Sequence, residues 1–335
     1  MPEESVTICT VSFETGTLVR RNVALTRERN PGTDVTWTVV DNTPPDGPDH
    51  VVVEPGVDLR PAVPVPDVSY QAASYHHGAA LNSVVGEVTT RHALVIDPDF
   101  FVVMPGWIER VRAHVEGTRL AFFGVPWHPR WSTKPRGFPA PHFLWIDGAE
   151  VDLAALDFLP QGERSPWERV SQVSPARRRF DRAMVHVLPD WMERRKVGKS
   201  RDTGSRIADR WAGSVGAECL VPHYEPERQG PAVDPSWRGR FAEQLLPRRL
   251  RLIAPAATWS GTGFAAAGLP DVDSRGWEEF LWDARPFGFH VRGYPRRAKG
   301  VAAGDTAEAV DAVLAEIRER EPTVPPKESP DEGPL

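Results

Sequence analysis

Along the first 125 residues, short apolar runs alternate with segments whose apolar positions recur at helical spacing. VTICTVSF (6–13) is β-branched and apolar throughout, the composition of a strand covered on both faces. TGTLVRRNVALTRERNPG follows with Leu18, Val19, Asn22, Val23 and Thr26 on one helical face, and Asn30, Pro31 and Gly32 stop it. DVTWTVVDN predicts a second strand ending in Asp41 and Asn42, and HVVVEPG (50–56) a short third. SYHHGAALNSVVGEV predicts a helix, HALVID a strand, PGWIERVRAHVEG a helix opened by Pro105, and RLAFFGVPW a closing strand. Repeated strand–helix–strand units predict an α/β fold with a mostly parallel sheet flanked by helices on both faces.

The second half is less regular. WHPRWSTKPRGFPAPHFLWIDG (127–148) is rich in Trp, Pro and Arg and is expected to form a long loop over the site, its Trp127, Trp131 and Trp145 stacking on a ligand or packing as a lid. SPARRRFDRAMVHVL predicts a helix with Ser174 as N-cap and Pro175 at its first position, Arg177 to Arg179 forming a solvated face. RDTGSRIADRW predicts another helix and AECLVPHYE a strand. DTAEAVDAVLAEIRERE predicts a last helix, opened by Asp305 and Glu308 in capping-box spacing, with Val310, Val313, Leu314 and Ile317 inward. The expected organisation is a regular α/β half over 1–125, a less regular half over 126–303, a C-terminal helix over 304–320 and a disordered acidic tail over 321–335. No internal repeat is visible.

Composition narrows the functions. A net charge of −6 over 335 residues argues against a general nucleic-acid binder. The 34 prolines and 12 tryptophans fit long ordered loops carrying flat aromatic surfaces. Cys9 and Cys219, the only cysteines, lie in apolar segments and read as buried free thiols rather than a disulfide. No stretch approaches the ~20 apolar residues of a transmembrane helix. MPEESVTICT lacks the pattern of a signal peptide, so a soluble, cytoplasmic protein is expected.

The chemistry concentrates in RHALVIDPDFFVVMPGW (91–107). Asp97 and Asp99 are two residues apart on extended chain and point the same way, with Pro98 stiffening the turn between them. Side by side they repel unless one takes a proton or a cation intervenes, and hard oxygen ligands suit Mg²⁺ or Mn²⁺. An Asp-x-Asp turn that merely caps the next helix is the plainer alternative. In a parallel sheet, Ser12, Asp41 and Asp97 end separate strands at one edge, where ligands bind.

Ser12-Phe13-Glu14, VVDN with Asp41 and Asn42, HHGAALN with Gly78, Ala80 and Asn82, then Asp97-Pro98-Asp99 and PGW follow one another over about 100 residues. In that order they resemble the nucleotide-sugar-binding half of GT-A glycosyltransferases, particularly family 2, with Glu14 standing where that family has Asn. The resemblance implies transfer of a sugar from a nucleotide-sugar donor, a UDP-sugar first, to an acceptor hydroxyl of unknown identity, with inversion and with Mn²⁺ or Mg²⁺. It implies that Ser12, Glu14, Asp41, Asn82 and Asp97 contact the nucleotide, and that Asp97 and Asp99 serve the metal. It also implies a catalytic base at a helix start, matched by Asp202, and a late histidine ligand, matched by His290. Asp202, flanked by Lys199, Arg201 and Arg206, would stay ionised, or would serve only as an N-cap. Asp147 and Glu150 are reserve bases, and His223 competes with His290. His76 and His77 either touch the nucleotide or pack. Arg292, Arg296, Arg297 and Lys299 could neutralise a diphosphate. Two other classes stay open: a sugar nucleotidyltransferase, for which TVSFETG lacks a glycine-rich cationic loop, and a non-catalytic binder of the same fold.

Overall fold

The computed structural model describes residues 5–65, 72–130, 137–160, 202–225, 259–291 and 303–320. β1 (Val6–Ser12) is buried along its whole length, as its β-branched composition requires. It pairs in parallel with β2 (Val35–Asp41) on one side and β4 (His92–Ile96) on the other. β3 (Val57–Pro61) lies outside β2, and the full order of the seven-stranded sheet is β3-β2-β1-β4-β7-β6-β8. Here β6 is Phe122–Gly124, β7 Phe143–Asp147 and β8 Ala217–Cys219. Six of these strands run parallel to one another; β7 opposes both neighbours, β4 and β6.

Side chains on alternate strand positions feed two cores, following the period of two. Ile8, Leu94, Phe143 and Trp145 meet Val19 and Val23 of α1 (Gly16–Arg29) and Trp107, Ile108 and Val111 of α3 (Trp107–Thr118). On the other face Cys9, Val95, Leu144 and Ile146 meet Ala80, Leu81, Val84 and Val85 of α2 (Ala72–Val85) and Ile207 of α4 (Ser205–Trp211). A second sheet of order β5-β11-β10-β9 holds β5 (Phe100–Val102), β9 (Val221–Pro222), β10 (Glu278–Trp282) and β11 (Arg285–His290). Helix α5 (Ala303–Arg320) packs Val310, Val313, Leu314 and Ile317 against this sheet and α1. Arg21 Nε, shared between both oxygens of Asp311, and a bidentate pair from Arg318 to Glu28 tie α5 to α1. Both cysteines are free, and burial pushes each thiol up to about 12.

The mixed α/β architecture and the positions of β1, β2, β4, α1, α2 and α3 agree with the sequence pattern. Several local expectations do not. HVVVEPG is not a strand: Val52 and Val53 are exposed at 57% and 66%, and the strand starts one residue later, at Val57. A short valine run has β-propensity, but without a face to bury it gains nothing from pairing. FLWID is no loop; it is the fully buried β7, with Trp145 in the core rather than over a ligand. The FFV of FFVVMPGW forms β5, and AECLVPHYE divides between the two sheets as β8 and β9. Gly106 in left-handed conformation, not Pro105, caps α3. α5 begins at Ala303, so Asp305 lies inside its first turn. Strands from both sides of residue 125 share each sheet. The helix expected over SPARRRFDRAMVHVL and the tail over 321–335 lie outside the described residues. Among the described residues no helix is long and apolar enough to cross a membrane.

The antiparallel course of β7 sends Asp147 to the amino edge of the sheet, paired with His92. There its fully buried carboxylate accepts two bonds from Arg91 (3.0 and 2.9 Å) and one from the Ala149 amide. Burial works against ionisation, but the Arg91 bond and the Ala149 amide outweigh it and hold the carboxyl below its ordinary range. A depressed carboxylate pKa stabilises the fold above the unfolded value, about 3.9, and that stabilisation fades as pH falls through the folded value. Asp147→Asn is therefore expected to lower unfolding free energy by about 2 kcal/mol at neutral pH. In urea titrations the gap to the wild type should narrow below about pH 4.

Candidate active site

The carboxyl edge of the large sheet gathers the chemistry. Ser12 and Asp41 are register partners there, and Asp97 follows β4 at the same edge. The β4–β5 turn is pinned twice. Asp97 donates its amide to the His142 carbonyl at 3.0 Å, and the buried Asn22 of α1 donates to the Phe100 carbonyl at 2.7 Å. His142 directly precedes β7, and because β7 runs antiparallel, this residue comes to lie beside Asp97.

Asp97 is surrounded by imidazoles. His142 Nδ1 is 2.8 Å from Asp97 Oδ2, His290 Nε2 is 3.8 Å from the same oxygen, and His77 Nε2 of α2 is 3.7 Å from Oδ1. Burial alone would raise the Asp97 carboxyl; the His142 bond and the charges of His142, His77 and His290 outweigh it and hold the group below its usual range. His290 Nε2 also lies 3.2 Å from Asp99 Oδ1. The His142 and His290 rings sit 4.7 Å apart, and Trp127 packs edge-on against His142 at 4.4 Å.

One ligand atom each from Asp97, His142 and His290 lies within 4.8 Å of the other two, a group able to hold a metal ion. The fit has an independent sign: Asp97 Oδ1 is buried without a hydrogen-bond partner among the described residues. A buried carboxylate oxygen left in that state is costly unless something cationic completes it.

Asp97, His77 and His142 line a cleft of about 220 Å³, and Ser74, Trp127, Asp202 and Thr203 complete its walls. Asp202 is not the N-cap of α4, which is Gly204 in left-handed conformation. Its carboxylate instead accepts a bond from Ser74 Oγ at 3.1 Å, while Thr203 Oγ1 bonds the Ser74 carbonyl at 3.3 Å. Arg206 does not serve Asp202 either; it pairs with Asp157 at 2.6 Å, and Asp157 also accepts from Asn82.

The other expected contacts lie off this cleft. Ser12 is fully buried against Thr15, and Asn82 is engaged by Asp157 and by the Phe158 amide. Asp41 accepts from the Thr43 and Val51 amides, with His50 at 3.2 Å, and thereby shapes the loop after β2. Glu14 takes left-handed φ (53°), and its amide bonds Thr43 Oγ1. Asp147 and Glu150 are at the amino edge of the sheet, away from Asp97, so neither can serve as a base in this cleft. His223 is near Ser260 and Glu225 rather than Asp97. His76 contributes its carbonyl to Asn42. Trp131, Arg177 to Arg179, Lys199, Arg201, Arg292, Arg296, Arg297 and Lys299 lie outside the described residues. His142 was not singled out by the sequence; the signal available was its place just before the apolar FLWID run.

No protein family and no curated protein matches the chain. Solved structures that resemble it include a mannosyltransferase. The mannosyltransferase PcManGT from Pyrobaculum calidifontis, in complex with GDP-Man and Mn²⁺, is 13% identical with a TM-score of 0.32, over 43% of this chain and 44% of that one. A fragment of S. aureus TarS is 10% identical with a TM-score of 0.32, over 48% and 52%. An active-site mutant of LgtC is 13% identical with a TM-score of 0.36, over 77% and 88%. The matched region thus spans about half the length or less of the first two proteins, and each is a partial likeness at low identity.

Proposed function

We propose that this chain is a metal-dependent glycosyltransferase taking a nucleoside-diphosphate sugar, a UDP-sugar first, as donor and a hydroxyl compound as acceptor. One observation carries the reading. Asp97 and His142, two members of a carboxylate–imidazole cluster able to hold a divalent ion, line one cleft with a separate carboxylate, Asp202, at the carboxyl edge of a parallel sheet. Ligands of open α/β sheets bind at that edge.

Asp97, His142 and His290 would hold the ion, with Asp99 beside His290. Two imidazole nitrogens with carboxylate suit Mn²⁺ better than Mg²⁺. When bound, the ion supplies positive charge against the departing diphosphate. Asp202 acts as general base: its carboxylate, which also accepts a bond from Ser74 Oγ, takes the proton of the acceptor hydroxyl. The acceptor oxygen bonds to the anomeric carbon as the bond from that carbon to the diphosphate oxygen breaks, and the electron pair leaves with the diphosphate. Displacement in one step inverts the anomeric centre. Trp127 and Pro141 wall the cleft and help keep water from competing. Ser12, Glu14 and Asp41 belong to the nucleoside end of the same sheet edge, and Asn82 acts by positioning α2. The organisation into a donor half over 1–125 and an acceptor half over 126–303 is part of this proposal.

In a thermal-shift screen of UDP-, GDP- and dTDP-sugars, a donor is expected to raise the melting point with Mn²⁺ present and to lose that effect with chelator, because a ligand of the native state stabilises it. Absence of any Mn²⁺-dependent shift would refute the reading. Asp202→Asn is expected to keep donor affinity while turnover falls about 10²- to 10⁴-fold; normal turnover would remove Asp202 from the chemistry. His142→Ala should weaken Mn²⁺-dependent UDP binding by more than ~100-fold, beyond the loss typical of an outer-shell partner. Titration calorimetry on the folded variant measures it.

A further inference from the structure

His290 is the middle residue of a row that crosses three strands. On β5 its register partner is Phe100, whose ring lies 5.9 Å away, and on β10 its partner is Glu278. Residues directly opposite in an antiparallel pair share a face. Glu278 is 0% exposed, and its Oε2 lies 3.4 Å from His290 Nδ1, the ring nitrogen turned away from Asp97 and Asp99, at ion-pair distance and not closed into a hydrogen bond in this structure. His290 itself is 2% exposed. A carboxylate withdrawn this far from water is strongly unfavourable unless it is matched by a donor or a cation. The apolar Phe100 side and the Glu278 side of the ring therefore differ sharply in chemistry.

We propose that Glu278 is the positioning residue of the metal site: it accepts the Nδ1 proton of His290, fixes the ring plane and tautomer, and so presents the Nε2 lone pair to the ion. This rests on the metal-dependent reading above. A ligating imidazole is typically held this way through its second nitrogen, and loss of the outer partner costs about 10- to 100-fold in metal affinity. The three-strand row also gives a place to the first of the two glutamates that open the buried strand EEFLW. Its neighbour Glu279 faces the other way and accepts the Phe264, Val272 and Asp273 amides, a role confined to holding that loop.

The test is Mn²⁺ affinity of the full chain by electron paramagnetic resonance, with no donor or acceptor present. Glu278→Leu removes the acceptor at similar volume, and its Mn²⁺ dissociation constant is expected to rise about 10- to 100-fold. Glu278→Gln, which retains an acceptor, is expected to recover most of that loss. Wild-type affinity in folded Glu278→Leu overturns the proposal and leaves the glycosyltransferase reading standing; no Mn²⁺ binding by the wild type overturns both. Should the leucine variant fail to fold, the wild type decides. With ¹⁵N-histidine and ¹¹³Cd²⁺, the His290 spectrum should show a proton on Nδ1 and cadmium coupling to Nε2. The reverse assignment refutes the role of Glu278.

Discussion

A buried carboxylate stays ionised only where its surroundings supply compensating charge or donors, and the arrangement around Asp97 follows from that constraint. β4 delivers Asp97 to the sheet edge, α2 brings His77, the start of β7 brings His142, and β11 brings His290. Four elements from separate parts of the chain thus meet at one oxygen pair. The packing that places them is ordinary: alternate positions of β4 and β7 fill the two cores, and the polar residues at their ends are what remains at the edge.

The second carboxylate of the cleft is held by simpler means. Ser74 and Thr203 cross-connect α2 to the turn before α4, and the Asn82–Asp157–Arg206 network fastens the same two helices about two turns farther along α2. Asp157 stays ionised because the Arg206 and Asn82 bonds outweigh the effect of burial. A Cβ on Gly78 would come within 2.6 Å of the Phe158 carbonyl, so glycine at that position lets α2 approach closely enough for Asn82 to reach Asp157. The match of Gly78 and Asn82 to a family pattern thus has a packing basis here, one step removed from any ligand.

Much of the first half was legible because its strands are long, apolar and separated by amphipathic helices. Asp97, Asp99 and Asp202 stood out as carboxylates at element ends, and His290 as a late histidine after an aromatic run. His142 was hidden because PAPHFLWIDG carries Pro and Trp, which read as loop, and because nothing local announces that a strand runs antiparallel. The direction of β7 decides two matters at once: it carries His142 to the cleft and removes Asp147 and Glu150 from it. Pairing partners are long-range information, and a single sequence encodes them weakly. The same holds for Glu278, whose proposed role depends on its register with His290.

Asp97 and Asp99 occupy the short link that leaves the large sheet at Ile96 and enters the small one at Phe100. The imidazoles divide likewise, His142 belonging to the first layer and His290 to the second. A cation coordinated by both would act as a rivet between the two sheets, beside links such as the one from His128 Nε2 to the His223 carbonyl. Chelation would then loosen the join between the two sheets as well as empty the site.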